Sequence, residues 1–291
     1  MVAGRLRNEV FNAGLESRAC TLLRHYPQPS IVIAGDSRGL YNINTRMLSR
    51  ITGKTAINCA MEFCDISTAA NLINKYQELN SARIIILAAS VYQINDNIID
   101  FGCFSASAFF RTSFPDQIRL FWDHPFWLAD RYRTAKALYK RTVYSGGLFT
   151  CKDRDYLSLQ YINDMGYRSR DEIWDKKIKE DISWYKNFSE NGPKARIFKE
   201  AVNSIENTGA KVILVIPPVS SAWKHVPEVA HAIDIERKFI AFCRYAADNR
   251  ASVISFFDEP DSVFPDSFFL DPLHLNKYGA AKLTAMLADS L

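Results

Sequence analysis

The 291-residue sequence predicts an α/β fold: a five-stranded parallel sheet covered by helices on both faces, with one long, mostly helical insertion. Three observations predict it. Five short apolar runs rich in β-formers punctuate the chain, and their hydrophobicity is continuous rather than alternating, as in strands buried on both faces. Helical periodicities lie between them. One interval, from about residue 100 to 190, is far longer than an ordinary crossover between parallel strands.

In chain order, the predicted strands are IVIAG at 31–35, TAINCA at 55–60, RIIILAA at 83–89, KVILVIPP at 211–218 and SVISFF at 252–257. The first long helical pattern spans 66–80, where Ala70, Ile73 and Leu72 or Tyr76 recur at helical spacing. Residues 193–208 and 228–250 read the same way, and 277–291 is a further helix. Strands alternating with helices define a doubly wound, flavodoxin-like three-layer sandwich, with its site at the carboxyl ends of the strands. Residues 1–291 therefore read as one domain with an insertion at 100–190 between the third and fourth strands.

The insertion is aromatic, carrying Trp122, Trp127, Trp174 and Trp184, and its stretch from 111 to 154 holds nine Lys/Arg against four Asp. That local excess is larger than the net charge of the whole chain, +4, so the positive charge is concentrated there. Such a small net charge, without any nucleic-acid-reading motif, argues against a nucleic-acid partner. Cysteines 20, 59, 64, 103, 151 and 243 form no CxxC pair and read as small buried hydrophobes, not as a disulfide framework or a zinc site. His225 and His231 lack nearby ligand partners and read as surface helix residues. No metal and no cofactor is expected, because no Gly-rich phosphate loop or ligand cluster is present. The polar N-terminus cannot be the apolar core of a signal peptide, and no apolar run is long enough to span a bilayer. The chain as written therefore reads as cytoplasmic. A periplasmic or membrane-associated location would need an N-terminal anchor, and the oligomeric state is not readable.

Two segments carry chemistry. In IVIAGDSRG, Gly35 allows a sharp turn at the end of a buried strand and leaves Ser37 at the mouth of the sheet. A serine hydroxyl needs a base to become a nucleophile. FLDPLHLNKYG supplies Asp271 and His274, three residues apart. On a turn, that spacing lets the carboxylate hold the imidazole in one tautomer while the other ring nitrogen faces the serine, the division of labour of a serine triad. The plain alternative is that Gly-Asp-Ser is an ordinary turn, and that Asp36, Ser37 or Asp271 merely caps a following helix.

The blocks GDS at 35–37 and DPLHLN at 271–276 resemble the first and last signature blocks of the SGNH/GDSL hydrolases. That resemblance implies Ser37, Asp271 and His274 as the catalytic triad. It also implies an oxyanion hole made by the Ser37 amide, a backbone amide after the second strand and an asparagine side chain after the third. The middle blocks depart from the family pattern: NCAMEFCD at 58–65 has no glycine, so an amide near Phe63 or Cys64 would serve. In ASVYQIND at 89–96, Asn95 is the first candidate, with Ser90 and Gln93 as alternatives. The altered middle blocks, GDSR in place of GDSL and the long insertion also look like bacterial proteins that O-acylate cell-surface polysaccharides.

The expected function is hydrolysis of an acyl ester through an acyl-Ser37 intermediate, on an acylated small molecule or an O-acylated carbohydrate. O-acyl transfer to a polysaccharide would use the same triad. A non-catalytic binding protein on a decayed hydrolase fold is the third reading. Arg131, Arg133 and Lys136 are the expected contacts to an anionic glycan, from an insertion bordering the cleft; a helical cap with a solvated basic face is the alternative.

Overall fold

The computed structural model describes residues 18–62, 64–96, 159–174, 185, 188–226, 230–248 and 250–291. The substrate candidates Arg131, Arg133 and Lys136, together with Phe63 and most of the predicted insertion, lie outside the described residues.

Five strands form one all-parallel sheet in the order β2-β1-β3-β4-β5. They are β1 (Ile31–Gly35), β2 (Ala56–Asn58), β3 (Ile84–Ala88), β4 (Lys211–Ile216) and β5 (Ser252–Ser255). Every residue of β1 and β3 is buried, which fits their unbroken apolar runs and their central places in the sheet. β2 is shorter than predicted and keeps only three residues paired with β1. As an edge strand it has a neighbour on one side only. β4 ends before Pro217, which has no N–H to offer the ladder.

The principal helices are α1 (Ser37–Asn42), α2 (Thr45–Thr52), α3 (Ile66–Lys75), α4 (Pro193–Glu206), α5 (Ala230–Ala246) and α6 (Lys277–Ala288). α2 and α6 pack together on one face of the sheet, while α3, α4 and α5 cover the other. The helix predicted over 66–80 is broken: Tyr76 takes an extended backbone (φ −106°, ψ 118°), and Gln77–Asn80 forms a separate turn. α1 and α2 were not foreseen as helices. They fill the crossover between β1 and β2, capped by Asp36 and by Asn44, whose side chain accepts from the Met47 N–H.

The strand order reverses between β1 and β3, because the chain leaves β1 toward β2 on one side and returns to β3 on the other. That switch point is where open parallel sheets leave a crevice at their carboxyl ends. Gly35 closes β1 there with φ 114°, a left-handed conformation, and a side chain at this position would collide with the Ala88 carbonyl of β3. The glycine thus lets the two strands stay adjacent while the chain turns into Asp36 and Ser37.

Of the cysteines, Cys59, Cys64 and Cys243 are buried and Cys20 is partly buried, and none of these four is in a disulfide; Cys103 and Cys151 lie outside the described residues. His225 and His231 are exposed on or beside helices. Among the described residues, no helix is long and apolar enough to cross a membrane.

Candidate active site

Ser37 is the first residue of α1, at the carboxyl end of β1. Asp36 is the N-cap: its Oδ1 accepts the Arg38 N–H at 2.9 Å, while the residue is fully buried. At this first helical position the Ser37 N–H has no intrahelical acceptor.

Asp271 and His274 sit on a turn ahead of α6, and α6 has its own cap in Asn276, which accepts the N–H groups of Tyr278 and Gly279. Asp271 is therefore not the helix cap. Its Oδ1 accepts the N–H groups of Leu273 and His274, both at 2.9 Å, which curls the segment back on itself. A Leu270 N–H bond to the His274 carbonyl (3.0 Å) and a bridge between Phe269 and Leu275 close the turn. From the nucleophile's side, Asn42 grips the same segment: its Oδ1 accepts the Leu275 N–H at 2.8 Å and its Nδ2 donates to the Leu273 carbonyl at 3.4 Å.

The three side chains form one line. The Ser37 hydroxyl lies 2.8 Å from His274 Nε2, and His274 Nδ1 lies 2.7 Å from Asp271 Oδ2. A carboxylate can only accept, so Nδ1 carries the proton and Nε2 is left to accept the Ser37 O–H. Burial pushes the Asp271 carboxyl up, but the hydrogen bond and charge of His274 and two backbone N–H bonds outweigh it, and the group lies below the usual carboxylate range. The His274 and Asp271 side chains remain 22% and 38% exposed, so the line is reachable from solvent. Tyr41 packs edge-on against the imidazole, with ring centroids 5.4 Å apart. Its phenol is pushed up to about 12, first by burial and then by its hydrogen bond to Glu62.

A cavity of about 170 Å³ opens beside the line. It is lined by Ser37, Leu273 and His274, by Ser90, Val91 and Tyr92 after β3, and by Arg38, Tyr185 and Glu236. Arg38 and Glu236 are buried and 3.8 Å apart. Arg38 Nη2 donates to the Pro217 carbonyl, and the Tyr185 hydroxyl donates to Glu236 Oε1 at 3.0 Å. Burial raises the Glu236 carboxyl above its ordinary range, against the pull of Arg38.

The structure brings Ser37, Asp271 and His274 together, but the other oxyanion candidates separate. Cys64 and Asn95 are buried, and neither lines the cavity. The Cys64 N–H is committed to the Met61 carbonyl at 3.0 Å, and Asn95 lies in a bridge to Phe188. Gln93 is a backbone brace: its Oε1 accepts the Ser90 N–H and its Nε2 donates to the Cys64 carbonyl. Ser90 alone of the post-β3 candidates is among the residues that line the cavity with Ser37. Arg38, Tyr185 and Glu236 were missed. Glu236 left a signal, since an acid sits on the apolar stripe Ala232, Ile235, Phe239 and Cys243 of α5. Of the predicted insertion, Tyr185 lines the cavity, and the Arg168 guanidinium lies over the Tyr41 ring beside His274.

No family model matches the sequence, and no curated protein is similar to it. Among solved structures, a protein from Streptococcus pneumonia provisionally termed a platelet activating factor is similar at 12% identity and TM-score 0.44, covering 96% of this chain and 92% of its own. A provisionally assigned acylhydrolase from Bacteroides fragilis NCTC 9343 is similar at 12% identity and TM-score 0.38, over 91% of this chain and 89% of its own. Likenesses this distant carry no weight for the chemistry, which rests on the side chains described above.

Proposed function

We propose that this chain is a serine-dependent acyl-ester hydrolase of the SGNH/GDSL type, acting through an acyl-Ser37 intermediate. The observation that supports it most is the unbroken line from Ser37 Oγ through the His274 ring to Asp271, at 2.8 and 2.7 Å. In the first half-reaction Ser37 Oγ bonds to the acyl carbon while its proton passes to His274 Nε2. The carbon–oxygen bond to the alcohol then breaks, and the imidazolium returns that proton to the departing oxygen. Water, deprotonated by the same nitrogen, repeats the sequence and frees the acid. Asp271 holds the ring in its tautomer and stabilises the imidazolium without taking its proton. The developing oxyanion is assigned to the Ser37 N–H and the Ser90 hydroxyl, in place of Asn95 and Cys64. An O-acylated carbohydrate as substrate, held by Arg131, Arg133 and Lys136, is proposed on the composition of the insertion alone.

Labelling with a fluorophosphonate tests the assignment. Wild-type protein is expected to take one label, and Ser37→Ala none. Equal labelling of both would overturn it.

A further inference from the structure

The cavity beside Ser37 reaches inward from the reacting atoms. Of the residues that line it, only Ser37, Leu273 and His274 are partly exposed, while Val91, Tyr92, Tyr185, Arg38 and Glu236 are buried. The cavity thus meets solvent at the triad and ends inside the protein. A pocket closed at its far end suits the end of a chain, whereas the middle of an extended polymer needs a cleft open at both ends.

Its accessible surface is almost wholly apolar. Arg38 and Glu236 line it, but their charges are engaged elsewhere. The two groups lie 3.8 Å apart, Arg38 Nη2 is spent on the Pro217 carbonyl and Glu236 Oε1 on the Tyr185 hydroxyl. Arg38 Nε and Glu236 Oε2 are closed to solvent. Val91, Leu273, Tyr92 and Tyr185 bring the large apolar side chains of the lining. An ionised group placed against such a surface would lose its hydration, whereas an alkyl group gains by leaving water. Size sets the other limit. A cavity of about 150 Å³ measured for water-sized probes holds a benzene ring, six heavy atoms. At about 170 Å³ this one has room for a chain of roughly that many atoms and none for a long fatty chain.

We propose that this cavity is the acyl pocket and that it selects an uncharged hydrocarbon acyl group of about four to six carbons. The inference rests on the acyl-serine reading above and adds the identity of the acyl side. The alcohol is placed outside the pocket, because His274, which returns the proton to the departing oxygen, is partly exposed.

The test measures acylation of Ser37, by the burst of nitrophenol and by the mass gained on Ser37, with the p-nitrophenyl esters of acetate, butyrate, hexanoate, decanoate and hemisuccinate. A burst is read whether or not water later frees the acid. Each methylene that enters the pocket is worth roughly fourfold, so butyrate and hexanoate are expected to exceed acetate by about tenfold or more in acylation efficiency. Decanoate and hemisuccinate are expected to fall about tenfold or more below hexanoate. A second series keeps acetyl and lengthens the alcohol from ethanol to hexanol, read as acetyl-Ser37 plus free acetate, and is expected to be nearly flat. Leu273 holds its turn through its backbone N–H and carbonyl, so Leu273→Ala widens the pocket without removing those bonds. In that variant the ratio of decanoate to hexanoate is expected to rise about threefold or more. Acetate equal to or better than butyrate in the wild type overturns the pocket while leaving the triad intact. So does a preference for decanoate or hemisuccinate, a chain-length preference carried by the alcohol, or an unchanged ratio in folded Leu273→Ala. No burst and no mass gain with any ester overturns the acyl-serine reading itself, and the pocket with it. The wild-type series decides the matter even if the variant does not fold.

Discussion

The two sides of the cavity are built on opposite plans. Along the triad wall, polar groups are met from within the protein. Asp271 spends both oxygens, on His274 Nδ1 and on the N–H groups of Leu273 and His274. His274 spends both nitrogens, and Asn42 clamps the turn at two points. Arg38 and Glu236, which also line the cavity, are more deeply buried yet keep one atom each without a hydrogen-bond partner among the described residues. A buried polar group left unmatched costs about 1–3 kcal/mol, so a fold keeps one only where something else offsets the cost. The triad wall is internally satisfied, which is what the proposed chemistry asks of it. The Arg38–Glu236 pair, the floor, is matched only in part among the described residues.

Breaking the wall gives the largest effects. Ser37→Ala and His274→Ala are each expected to lower kcat on the order of 10⁶-fold while circular dichroism and the thermal midpoint report a folded protein. Full turnover by a folded His274→Ala variant would sink the triad. Asp271→Asn comes next, at about 10⁴-fold in kcat, because an amide in place of the carboxylate favours the wrong tautomer but leaves the imidazole in place. Ser90→Ala is expected to cost roughly 10²-fold in kcat with little change in KM, the mark of a donor that acts in the transition state. If Asn95→Ala produces that loss and Ser90→Ala does not, the oxyanion assignment returns to Asn95.

The floor gives a smaller effect, visible in stability. Burial raises the Glu236 carboxyl above its ordinary value of 4.5. Between that value and the raised one, folded protein keeps a proton that unfolded protein has released, so stability falls as pH rises through the window. In Glu236→Gln that fall should vanish, measured as the slope of urea midpoint against pH. An unchanged slope would mean that Glu236 is ionised throughout and fully balanced by Arg38.

How much of this was legible in the sequence follows from how local each feature is. Five strands, their parallel sense and the three side chains Ser37, Asp271 and His274 that meet in the structure were readable because each signal lies within a single short segment. IVIAG runs straight into Asp36 and Ser37, and three residues separate Asp271 from His274. The oxyanion side was not readable, because it depends on which post-β3 side chain clears the backbone. Gln93 is consumed bracing Ser90 and Cys64, and Asn95 turns toward Phe188, neither of which residue spacing encodes. The floor was hidden for a different reason: Arg38, Tyr185 and Glu236 come from three distant stretches and meet only in the folded chain. The break at Tyr76 was lost to periodicity, since Gln77–Asn80 keeps Leu79 in register with the apolar face.

The grip of Asn42 on residues 273–275 has a bearing on how the protein is made. Ser37 and His274 are 237 residues apart in the chain, and α6 packs against α1 and α2, the first helices after β1. During vectorial synthesis β1 and Ser37 emerge early, but α1 has nothing to clamp until the ribosome has passed Leu275. The triad is thus closed by one of the longest loops the chain can draw, late and at high entropic cost. Under the proposed chemistry, an emerging chain carries an inert serine until its final docking step, and acyl transfer to Ser37 during translation would report the moment at which that docking occurs.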